Sequence, residues 1–325
     1  MTRPKVFVTR IIRDSGLSLI REFCQADIWD GDMPPPREVM LERVRGLDGL
    51  LCLLTDRIDG ELLDAAGPQL KVVSNHAVGF DNIVVPDATA RGIPVGNTPG
   101  ILTDATADLA FALLLSAARR LSESEKYLRT GKWKTWEPSA LLGMDLAGKT
   151  LGLVGFGRIG HAVAKRAAGF DLRVIFYDPT AEAEFNALSV KSLDELLRTS
   201  DFVSIHTPLN GSTRHLVNAD FLSKMKRTAV LVNTSRGPVV DQTALYDALN
   251  AKQIFSAALD VTDPEPLPLD SPLLTLENCL IVPHIGSASE RTRDDMSRLA
   301  ALNLIAGLKG ERLPHCVNPE VYEQR

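Results

Sequence analysis

The sequence predicts an α/β protein with two domains, one of which is built on a doubly wound parallel sheet. Short apolar runs alternate with amphipathic segments over the first part of the chain, and the alternation restarts with great regularity at Lys149. Runs of this kind are typical of parallel strands that are buried on both faces. The chain of 325 residues is long enough for two domains of roughly 150 residues each. Its 45% hydrophobic and 24% charged residues match ordinary globular usage and argue against disorder.

The N-terminal part of the chain contains the elements of a small α/β domain. Four aliphatic runs are predicted strands, and they are Lys5–Thr9, Ala26–Trp29, Gly49–Leu54 and Lys71–Ser74. Helices are predicted between them at Ser15–Cys24 and, after a proline loop, at Pro36–Arg45. We therefore expect this part of the chain to form a parallel sheet of its own.

A long helix of a different kind is predicted over Thr103–Arg120. Its Ala- and Leu-rich body is apolar on most faces, which predicts burial at a domain or subunit junction. The segment that follows, Leu121–Gly148, carries Trp133 and Trp136 among charged turns. This segment is predicted to be an arm rather than part of a core.

From Lys149 onward the sequence predicts six strands joined by crossover helices, which is the pattern of a doubly wound parallel sheet. The predicted strands are Thr150–Val154, Arg173–Tyr177, Phe202–His206, Ala229–Asn233, Ser256–Leu259 and Leu280–Val282. The predicted helices between them are Ile159–Ala168, Ser192–Arg198, Asn218–Lys224 and Thr243–Asn250. A final helix, Arg291–Leu308, is expected to return to the N-terminal domain.

Composition and patterning argue against several classes of function. The formal net charge is −5, so the chain lacks the excess of Lys and Arg that nucleic-acid-binding domains concentrate. Its cysteines have neither metal-site nor disulfide-framework spacing, which predicts reduced thiols and no metal; they are Cys24, Cys52, Cys279 and Cys316. The N-terminus shows no apolar signal segment, and the longest apolar stretch, Leu109–Ala118, is too short to span a bilayer. We expect a cytoplasmic protein that binds neither nucleic acid nor membrane.

A glycine-rich turn separates the first strand of the second domain from the helix that follows. Gly155, Gly157 and Gly160 occupy the glycine positions of G-x-G-x-x-G. The first permits a tight turn, the second lets the backbone approach a pyrophosphate, and the third lets the helix pack closely on the strand. The helix N-terminus offers unpaired N–H groups to phosphates. Because a predicted strand and helix flank the hexad, we predict a bound dinucleotide rather than a merely structural turn.

The residue after the next strand selects between two dinucleotides. Asp178 lies eighteen residues after Gly160, where a carboxylate would accept hydrogen bonds from the adenosine ribose and repel a 2′-phosphate. No Arg between Tyr177 and Glu182 neutralises this charge. NAD(H) is therefore predicted rather than NADP(H), unless Asp178 merely ends its strand in a turn.

Three polar residues follow later predicted strands at their carboxyl ends, where open α/β sheets bind ligands. Arg236 follows one strand, and a guanidinium can bind the carboxylate and carbonyl oxygens of a 2-keto acid. Glu265 lies in a proline-stiffened loop after the next strand, and His284 follows the last. His can transfer a proton near neutral pH, and a carboxylate on its other ring nitrogen would orient the ring. Each residue alone could be an ordinary surface group, but together the three predict an acid–base and substrate-binding site.

Several segments resemble the D-isomer-specific 2-hydroxyacid dehydrogenase family, and the resemblance covers essentially the whole chain. The matching segments are Gly155-x-Gly157-x-x-Gly160, Asn233-Thr234-Ser235-Arg236-Gly237, Leu259-Asp260-Val261 leading to Glu265-Pro266, and Pro283-His284-Ile285-Gly286-Ser287-Ala288. Within the family the chain is most similar to glyoxylate/hydroxypyruvate reductases. That closer similarity rests on Lys5–Arg10, Ala77–Asn82 and Leu102–Ala110.

The resemblance implies a Rossmann sheet inserted into a smaller flavodoxin-like α/β domain. The smaller, substrate-binding domain would comprise residues 1–99 and 288–325, and the NAD-binding domain residues 100–287. A dimerisation helix and arm at about 101–146 would belong to the NAD-binding domain. Trp136 of that arm would reach the site of the neighbouring subunit in a homodimer, unless it only packs within the arm.

The resemblance also implies a reaction, the reduction of glyoxylate or hydroxypyruvate to the D-2-hydroxy acid by NADH. Arg236 would bind the substrate, His284 would donate the proton, and Glu265 would orient His284. The implied substrate-binding residues are Leu53, Leu54, Val78, Gly79, Arg236, Ser287 and Trp136, with Val78 and Gly79 acting through their backbone N–H groups. The implied cofactor-binding residues are Thr106, Gly155, Gly157, Arg158, Ile159, Gly160, Asp178, His206, Thr207, Pro208, Thr234, Ser235, Arg236, Asp260, His284 and Gly286.

Some features depart from the close relatives or leave the substrate open. Asp178 stands where several NADPH-dependent relatives carry basic or hydroxyl residues, and His206 replaces an apolar residue without being assigned any chemistry. The loops Leu53–Asp56 and Asn75–Asp81 offer no cluster of basic residues for a phosphate, although Arg57 lies nearby. A bulkier 2-keto acid such as 2-ketogluconate fits the same anchor. Outside catalysis, the alternative is a NAD-sensing scaffold similar to the co-repressors of the family.

Overall fold

The structure, a computed structural model, describes residues 3–323. The chain divides into two compact units. The chain up to Leu102 and the chain from Ala288 onward together form the first unit, and Thr103–Ser287 forms the second. Each unit contains one parallel sheet with connecting helices, so the predicted class of two parallel-sheet α/β domains is confirmed.

The first unit contains a five-stranded sheet in the order β2-β1-β3-β4-β5. Its strands are β1 (Lys5–Val8), β2 (Gln25–Ile28), β3 (Gly49–Cys52), β4 (Val72–Asn75) and β5 (Val95–Gly96). Its connecting helices are α1 (Asp14–Phe23), α2 (Arg37–Arg43), α3 (Gly60–Ala66) and α4 (Val85–Ala90), and the C-terminal helix is Glu290–Lys309. The sequence prediction missed α3, α4 and β5, of 7, 6 and 2 residues. A strand of two residues is too short to show a periodicity.

The C-terminal helix packs closely on the sheet of the first unit. A Cβ at Gly307 would come within 2.5 Å of the Val72 side chain, so a glycine is needed where the helix crosses β4. The Ser74 hydroxyl of the same strand donates to the helical carbonyl of Ala300 at 2.8 Å. The final predicted helix therefore packs on the N-terminal sheet, as the sequence led us to expect.

The second unit contains a seven-stranded sheet in the order β12-β11-β10-β9-β6-β7-β8. Its strands are β6 (Thr150–Val154), β7 (Arg173–Tyr177), β8 (Leu188–Ser189), β9 (Phe202–Ile205), β10 (Val230–Asn233), β11 (Ser256–Leu259) and β12 (Cys279–Ile281). Its helices are α5 (Thr103–Ala118), α6 (Leu121–Arg129), α7 (Arg158–Ala167), α8 (Leu193–Thr199), α9 (Ala219–Lys224) and α10 (Gln242–Asn250). The C-terminal helix Glu290–Lys309 of the first unit is α11. The predicted count of six strands was one too low. The missed strand, β8, is an exposed strand of two residues at the edge of the sheet and has no hydrophobic pattern.

The apolar helix α5 is buried against the sheet of its own unit. Eight of its sixteen residues are buried, and it packs on α7, β10 and β11. Its side chains share one core with α7, while α8, α9 and α10 contribute to a second core. The apolar character of α5 is therefore explained by contacts within the unit and does not require a junction.

The segment after α5 differs from the series of turns that the sequence suggested, because its first part forms the helix α6. No residue of α6 is buried, which is consistent with an arm outside the core. Further along the arm, the side chains of Trp133 and Trp136 are 61% and 79% exposed. Among the described residues, no helix combines the length and apolarity needed to cross a membrane.

Candidate active site

The turn after β6 has the geometry that a dinucleotide requires. Gly155 has a φ of +90°, and a Cβ there would meet the backbone of His206 at 2.8 Å. A Cβ at Gly160 would meet the carbonyl oxygen of Gly155 at 2.8 Å. A Cβ at Gly157, in contrast, would meet nothing within 4 Å. The turn is therefore tight on its inner side and open in front of the N-terminus of α7, where phosphates bind.

Asp178 follows β7 and braces the same turn. Its Oδ2 accepts a hydrogen bond from the N–H of Phe156 at 2.8 Å, and its Oδ1 accepts from the N–H and hydroxyl of Thr180, both at 2.9 Å. Burial raises the pKa of Asp178, but these hydrogen bonds outweigh burial and the pKa lies below its usual value. The side chain is therefore a carboxylate at neutral pH, with its charge beside the glycine turn.

Two buried hydroxyls at the carboxyl edge of the sheet have no partner within residues 3–323. They are the Oγ1 atoms of Thr207, which follows β9, and Thr234, which follows β10. An unpaired buried hydroxyl is costly, which favours a ligand that supplies its partner. Together with the space in front of Gly157, these hydroxyls fit a nicotinamide dinucleotide along this edge. The predicted neighbours of that path are Arg158, Ile159 and Pro208, which are exposed or half-buried.

His206 has a packing role at the same edge. Its Nε2 lies 2.9 Å from the Ser204 hydroxyl, and burial lowers the pKa of His206 to about 4. The ring is therefore neutral at physiological pH, and the backbone of His206 packs against Gly155. This agrees with a position near the cofactor that carries no acid–base chemistry.

The three candidate reacting residues follow three strands that are neighbours in the sheet. β10, β11 and β12 pair in parallel, so the segments after them lie at one edge. Arg236 comes after β10, Glu265 after β11 and His284 after β12.

His284 and Glu265 form a hydrogen-bonded pair. The distance from His284 Nδ1 to Glu265 Oε2 is 2.8 Å, and Glu265 Oε1 accepts from the N–H of Thr262 at 3.0 Å. Burial raises the pKa of Glu265, but the hydrogen bond and charge of His284, the N–H of Thr262 and the charge of Arg236 together lower it below its usual value. The structure thus brings the three predicted groups into electrostatic contact and keeps Glu265 ionised.

Asp260 builds the turn that carries His284. Its Oδ1 accepts from the N–H of Ile285 at 2.6 Å, its Oδ2 from the N–H of Gly286 at 2.8 Å, and its carbonyl from the N–H of His284 at 2.8 Å. Thr106 donates to the carbonyl of Gly286 at 3.2 Å. His284 itself has a φ of +51°, a strained conformation that persists only when its surroundings impose it. Burial raises the pKa of Asp260 in spite of these hydrogen bonds.

This positioning role of Asp260 was missed at the level of sequence, which assigned the residue only to the cofactor. The assignment stays a prediction, since both carboxylate oxygens are already occupied within the turn. Only the strand-end position was visible in the sequence. The N–H groups that a buried carboxylate meets depend on the path of a loop some twenty-five residues further on.

The turn that carries Arg236 is shaped by Asn233. The Asn233 Oδ1 accepts from the N–H and hydroxyl of Ser235 at 3.0 and 2.8 Å, and its Nδ2 donates to the carbonyl of Arg236 at 3.0 Å. A Cβ at Gly237 would lie 1.8 Å from the carbonyl oxygen of Thr262. The Arg236 turn therefore lies directly on the loop that follows β11.

The predicted substrate residues of the first unit lie in two loops that follow neighbouring strands. Leu53 and Leu54 come after β3, and Val78 and Gly79 after β4. Asn82 joins the loops, because its Nδ2 donates to two carbonyls of the β3 loop at 3.0 Å. The remaining three predicted substrate residues belong to the second unit, and they are Arg236, Ser287 and Trp136.

Hydride transfer to a carbonyl needs a dinucleotide, a proton donor and a cation for the developing negative charge. The second unit offers a glycine turn, an imidazole–carboxylate pair and a guanidinium at one edge of its sheet. These features define a nicotinamide-dependent oxidoreductase.

Comparison with known proteins narrows this class to a family. Residues 111–286 match the family described as D-isomer specific 2-hydroxyacid dehydrogenase, NAD binding domain. The glyoxylate reductase of Korarchaeum cryptofilum is 52% identical over 99% of this chain and 98% of its own length. The chain belongs to the D-isomer specific 2-hydroxyacid dehydrogenase family, and it is an oxidoreductase with 2-hydroxyacid reductase activity.

Two solved structures are similar over nearly the whole chain. A protein from Thermus thermophilus has a TM-score of 0.92 and 47% identity, covering 96% of this chain and 99% of its own. An NADPH-dependent glyoxylate/hydroxypyruvate reductase from Sinorhizobium meliloti has a TM-score of 0.84 and 33% identity, covering 97% and 98%. The resemblance inferred from the motifs is therefore confirmed for the family and the fold.

Proposed function

We propose that the protein reduces glyoxylate or hydroxypyruvate to the D-2-hydroxy acid with NADH, and that His284 donates the proton. The observation that carries this proposal is the 2.8 Å hydrogen bond between His284 Nδ1 and Glu265 Oε2. Because Glu265 occupies Nδ1, Nε2 is the ring nitrogen that can protonate a substrate oxygen.

The remaining chemistry is divided among a few groups. The reduced nicotinamide, when bound, supplies the hydride. In this proposal Arg236 binds the substrate carboxylate and carbonyl, and its charge stabilises the alkoxide that develops as the carbonyl is reduced. Backbone N–H groups of Val78 and Gly79 bind the carboxylate. Leu53, Leu54, Ser287 and Trp136 would form the wall around the small acid.

The preference for NADH over NADPH is supported by Asp178. Its pKa is lowered by hydrogen bonds from Phe156 and Thr180, so a negative charge lies beside the glycine turn at neutral pH. A 2′-phosphate would meet this charge without a compensating Arg. The Sinorhizobium meliloti relative is NADPH-dependent by name, so this is a proposal for the present chain and not a property of the family.

The preference for a small, unphosphorylated acid is supported by the ion pairs of the first unit. Arg57, the basic residue nearest to the β3 loop in the sequence, places its Nε 2.9 Å from Asp59 Oδ2. Asp59 also pairs with Arg37 at 2.5 Å. Arg57 is therefore engaged with a carboxylate, which disfavours a phosphate at this loop. A bulkier acid such as 2-ketogluconate is the competing substrate, because Leu54 at the loop is 37% exposed and could yield to a longer chain.

We also propose that the protein works in the cytoplasm as a homodimer. The four cysteines are free thiols in the structure, which suits a reducing compartment. The arm exposes Trp133 and Trp136, and large exposed aromatic side chains are typical of interfaces.

One set of assays tests the proposal. NADH and NADPH oxidation are followed separately with glyoxylate, hydroxypyruvate, pyruvate, 2-ketogluconate and phosphohydroxypyruvate. We expect NADH with the two small acids to give the highest kcat/KM, and His284→Ala to lose about 10²–10⁴-fold in turnover without unfolding. Turnover with none of the acids would favour the NAD-sensing scaffold. A preference for 2-ketogluconate would contradict the proposed substrates and make 2-ketogluconate the substrate instead. A preference for NADPH would contradict the role given to Asp178.

A further inference from the structure

The loop that follows β4 has its carbonyl oxygens bound on one side by other parts of the first unit. The carbonyl of Val78 accepts a hydrogen bond from Asn97 Nδ2 at 2.8 Å. The carbonyl of Gly79 accepts one from Asn75 Nδ2 at 2.9 Å. The carbonyl of Ala77 is bound at 2.9 Å by the main-chain N–H of the residue after Asn97. Three successive carbonyls of this loop are therefore fixed.

A fixed carbonyl also fixes the N–H that follows it, because a trans peptide is planar and the two groups point in opposite directions. The bond from Asn97 to the carbonyl of Val78 therefore orients the N–H of Gly79 away from Asn97. The bond from Asn75 to the carbonyl of Gly79 orients the N–H of Phe80 in the same manner. Within residues 3–323 no acceptor takes the N–H groups of Val78, Gly79 or Phe80. Successive unpaired N–H groups form a binding site for an anion.

We propose that Asn97 and Asn75 are positioning residues, whose side-chain amides hold the carbonyl oxygens of this loop so that its N–H groups bind the carboxylate of a 2-keto acid. The inference rests on the proposed function, in which Val78 and Gly79 bind that carboxylate. It adds two residues that do not touch the substrate and a third donor, the N–H of Phe80.

The amides belong to a network that also fixes the neighbouring loop. Asn75 is fully buried, and its Nδ2 lies 3.2 Å from the Oδ1 of Asn82. Asn82 donates in turn to the carbonyls of Leu53 and Asp56, both at 3.0 Å. The Oδ1 of Asn75 accepts from the thiol of Cys52 at 3.6 Å. The loops after β3 and β4 are thus held by the same set of amides, which explains why asparagine and not a hydrophobic residue ends the buried strand β4.

The test compares KM for glyoxylate, and the Kd of oxamate for the NADH complex, in the wild type, Asn97→Ala and Asn75→Ser. Loss of an oriented donor to a carboxylate is expected to raise both constants about tenfold, while kcat stays within about twofold, because the bond is present in the ground state and the transition state. The Kd of NADH should not change. A merely structural role would lower the melting temperature and leave KM and the oxamate Kd of the folded protein unchanged.

Asn97→Asp gives a second readout that a packing effect would not produce. A protonated carboxyl can donate to the Val78 carbonyl as the amide does, whereas a carboxylate can only repel it. At pH 8, where the carboxylate predominates, Asn97→Asp should therefore raise KM at least as much as Asn97→Ala. A wild-type KM for Asn97→Asp at this pH would contradict a donor role for Asn97.

Asn318→Ser is the matched control, because Asn318 is an equally buried amide of the same unit. Its Nδ2 donates to the Thr89 hydroxyl at 2.9 Å and to the carbonyl of Ile93 at 3.0 Å, and its Oδ1 accepts from the N–H of Val95 at 2.8 Å; none of these groups belongs to the β4 loop. This variant should be destabilised with an unchanged KM. Wild-type values of KM and oxamate Kd in Asn97→Ala overturn the inference, and Asn97 alone decides it if Asn75→Ser does not fold. A wild type that neither reduces glyoxylate nor binds oxamate would instead overturn the proposed function.

Discussion

Each oxygen of the Glu265 carboxylate has a separate task. Oε2 receives the hydrogen bond of the His284 ring, and Oε1 receives the N–H of Thr262, which fixes the carboxylate to its own loop. The lowered pKa of Glu265 means that this pair contributes to stability at neutral pH and that the contribution is lost in acid, as pH falls through the lowered pKa. Stability and, in the proposed reaction, proton donation by His284 therefore depend on the same ionised group.

Replacing Glu265 by glutamine preserves the shape of the side chain and removes its charge. We expect Glu265→Gln to reduce kcat/KM about 10²-fold. The measurement is kcat/KM for glyoxylate, with the exposed acid Glu311→Gln as the control. A kcat/KM equal to that of the wild type would show that Glu265 does not act on His284.

The choice of cofactor is expected to depend on the charge of Asp178. Asp178→Asn keeps an oxygen that can accept the N–H of Phe156, so the turn should be retained. We expect the ratio of kcat/KM for NADH over NADPH to fall at least tenfold, about 1.4 kcal/mol, because a carboxylate no longer opposes the 2′-phosphate. The two cofactors are compared by initial rates with glyoxylate. A ratio that does not change would mean that another group selects the cofactor.

Residue types at strand ends carried most of the chemistry that could be predicted from sequence. Arg236, Glu265 and His284 were predicted because a guanidinium, a carboxylate and an imidazole after successive buried strands share one edge of a parallel sheet. The second role of Asp260 and the bracing of Asn75 could not be predicted in that way. Both depend on which backbone groups a buried polar side chain meets, and this is decided by loop conformation.

At the scale of elements, the sheet of the second unit was predicted well because most of its strands are buried apolar runs separated by recognisable helices. β6, β7 and β11 begin and end where the sequence indicated. The two-residue strands β5 and β8 were missed, since hydrophobic periodicity needs several residues to be visible. The helices α3 and α4 were also missed, although α8 and α9 of the same lengths were predicted. The failure to predict β5 matters for the site, because Asn97 directly follows β5 and lies close to the β4 loop only because β5 pairs with β4.

The contact between the turn after β10 and the loop after β11 is close enough to test by one methyl group. Gly237→Ala would place its Cβ 1.8 Å from the carbonyl oxygen of Thr262, an overlap of backbone with side chain that only a shift of the loop can relieve. We expect a lower melting temperature and a fall in kcat of about tenfold or more, because the displaced loop carries Glu265. Gly169→Ala is the control, since its Cβ would meet nothing within 4 Å. Equal behaviour of the two variants would contradict this packing.

At the scale of the whole molecule, the chain leaves the first unit at Leu102 and re-enters it at Ala288, so each sheet is complete within one unit. The final helix and the resemblance predict one domain of residues 1–99 and 288–325 and another of residues 100–287, whereas composition alone predicts only the number of domains. The sequence did not predict how exposed the arm is. In the structure the Trp136 side chain is 79% exposed, and in the proposed homodimer this side chain contacts the neighbouring subunit.

A homodimer in which the arm completes the neighbouring site predicts subunit complementation. Trp136→Ala and His284→Ala should each reduce turnover as homodimers, because every site lacks either the arm residue or the proton donor. In a hybrid of the two variants, one site carries both defects, and the other receives His284 from its own subunit and Trp136 from the partner. Each mixed dimer should therefore recover about half of the wild-type turnover. Co-expression with two affinity tags isolates the mixed dimers, light scattering checks that they are dimers, and NADH oxidation measures their turnover. Activity no higher than the average of the two variants would confine Trp136 to packing within its own arm.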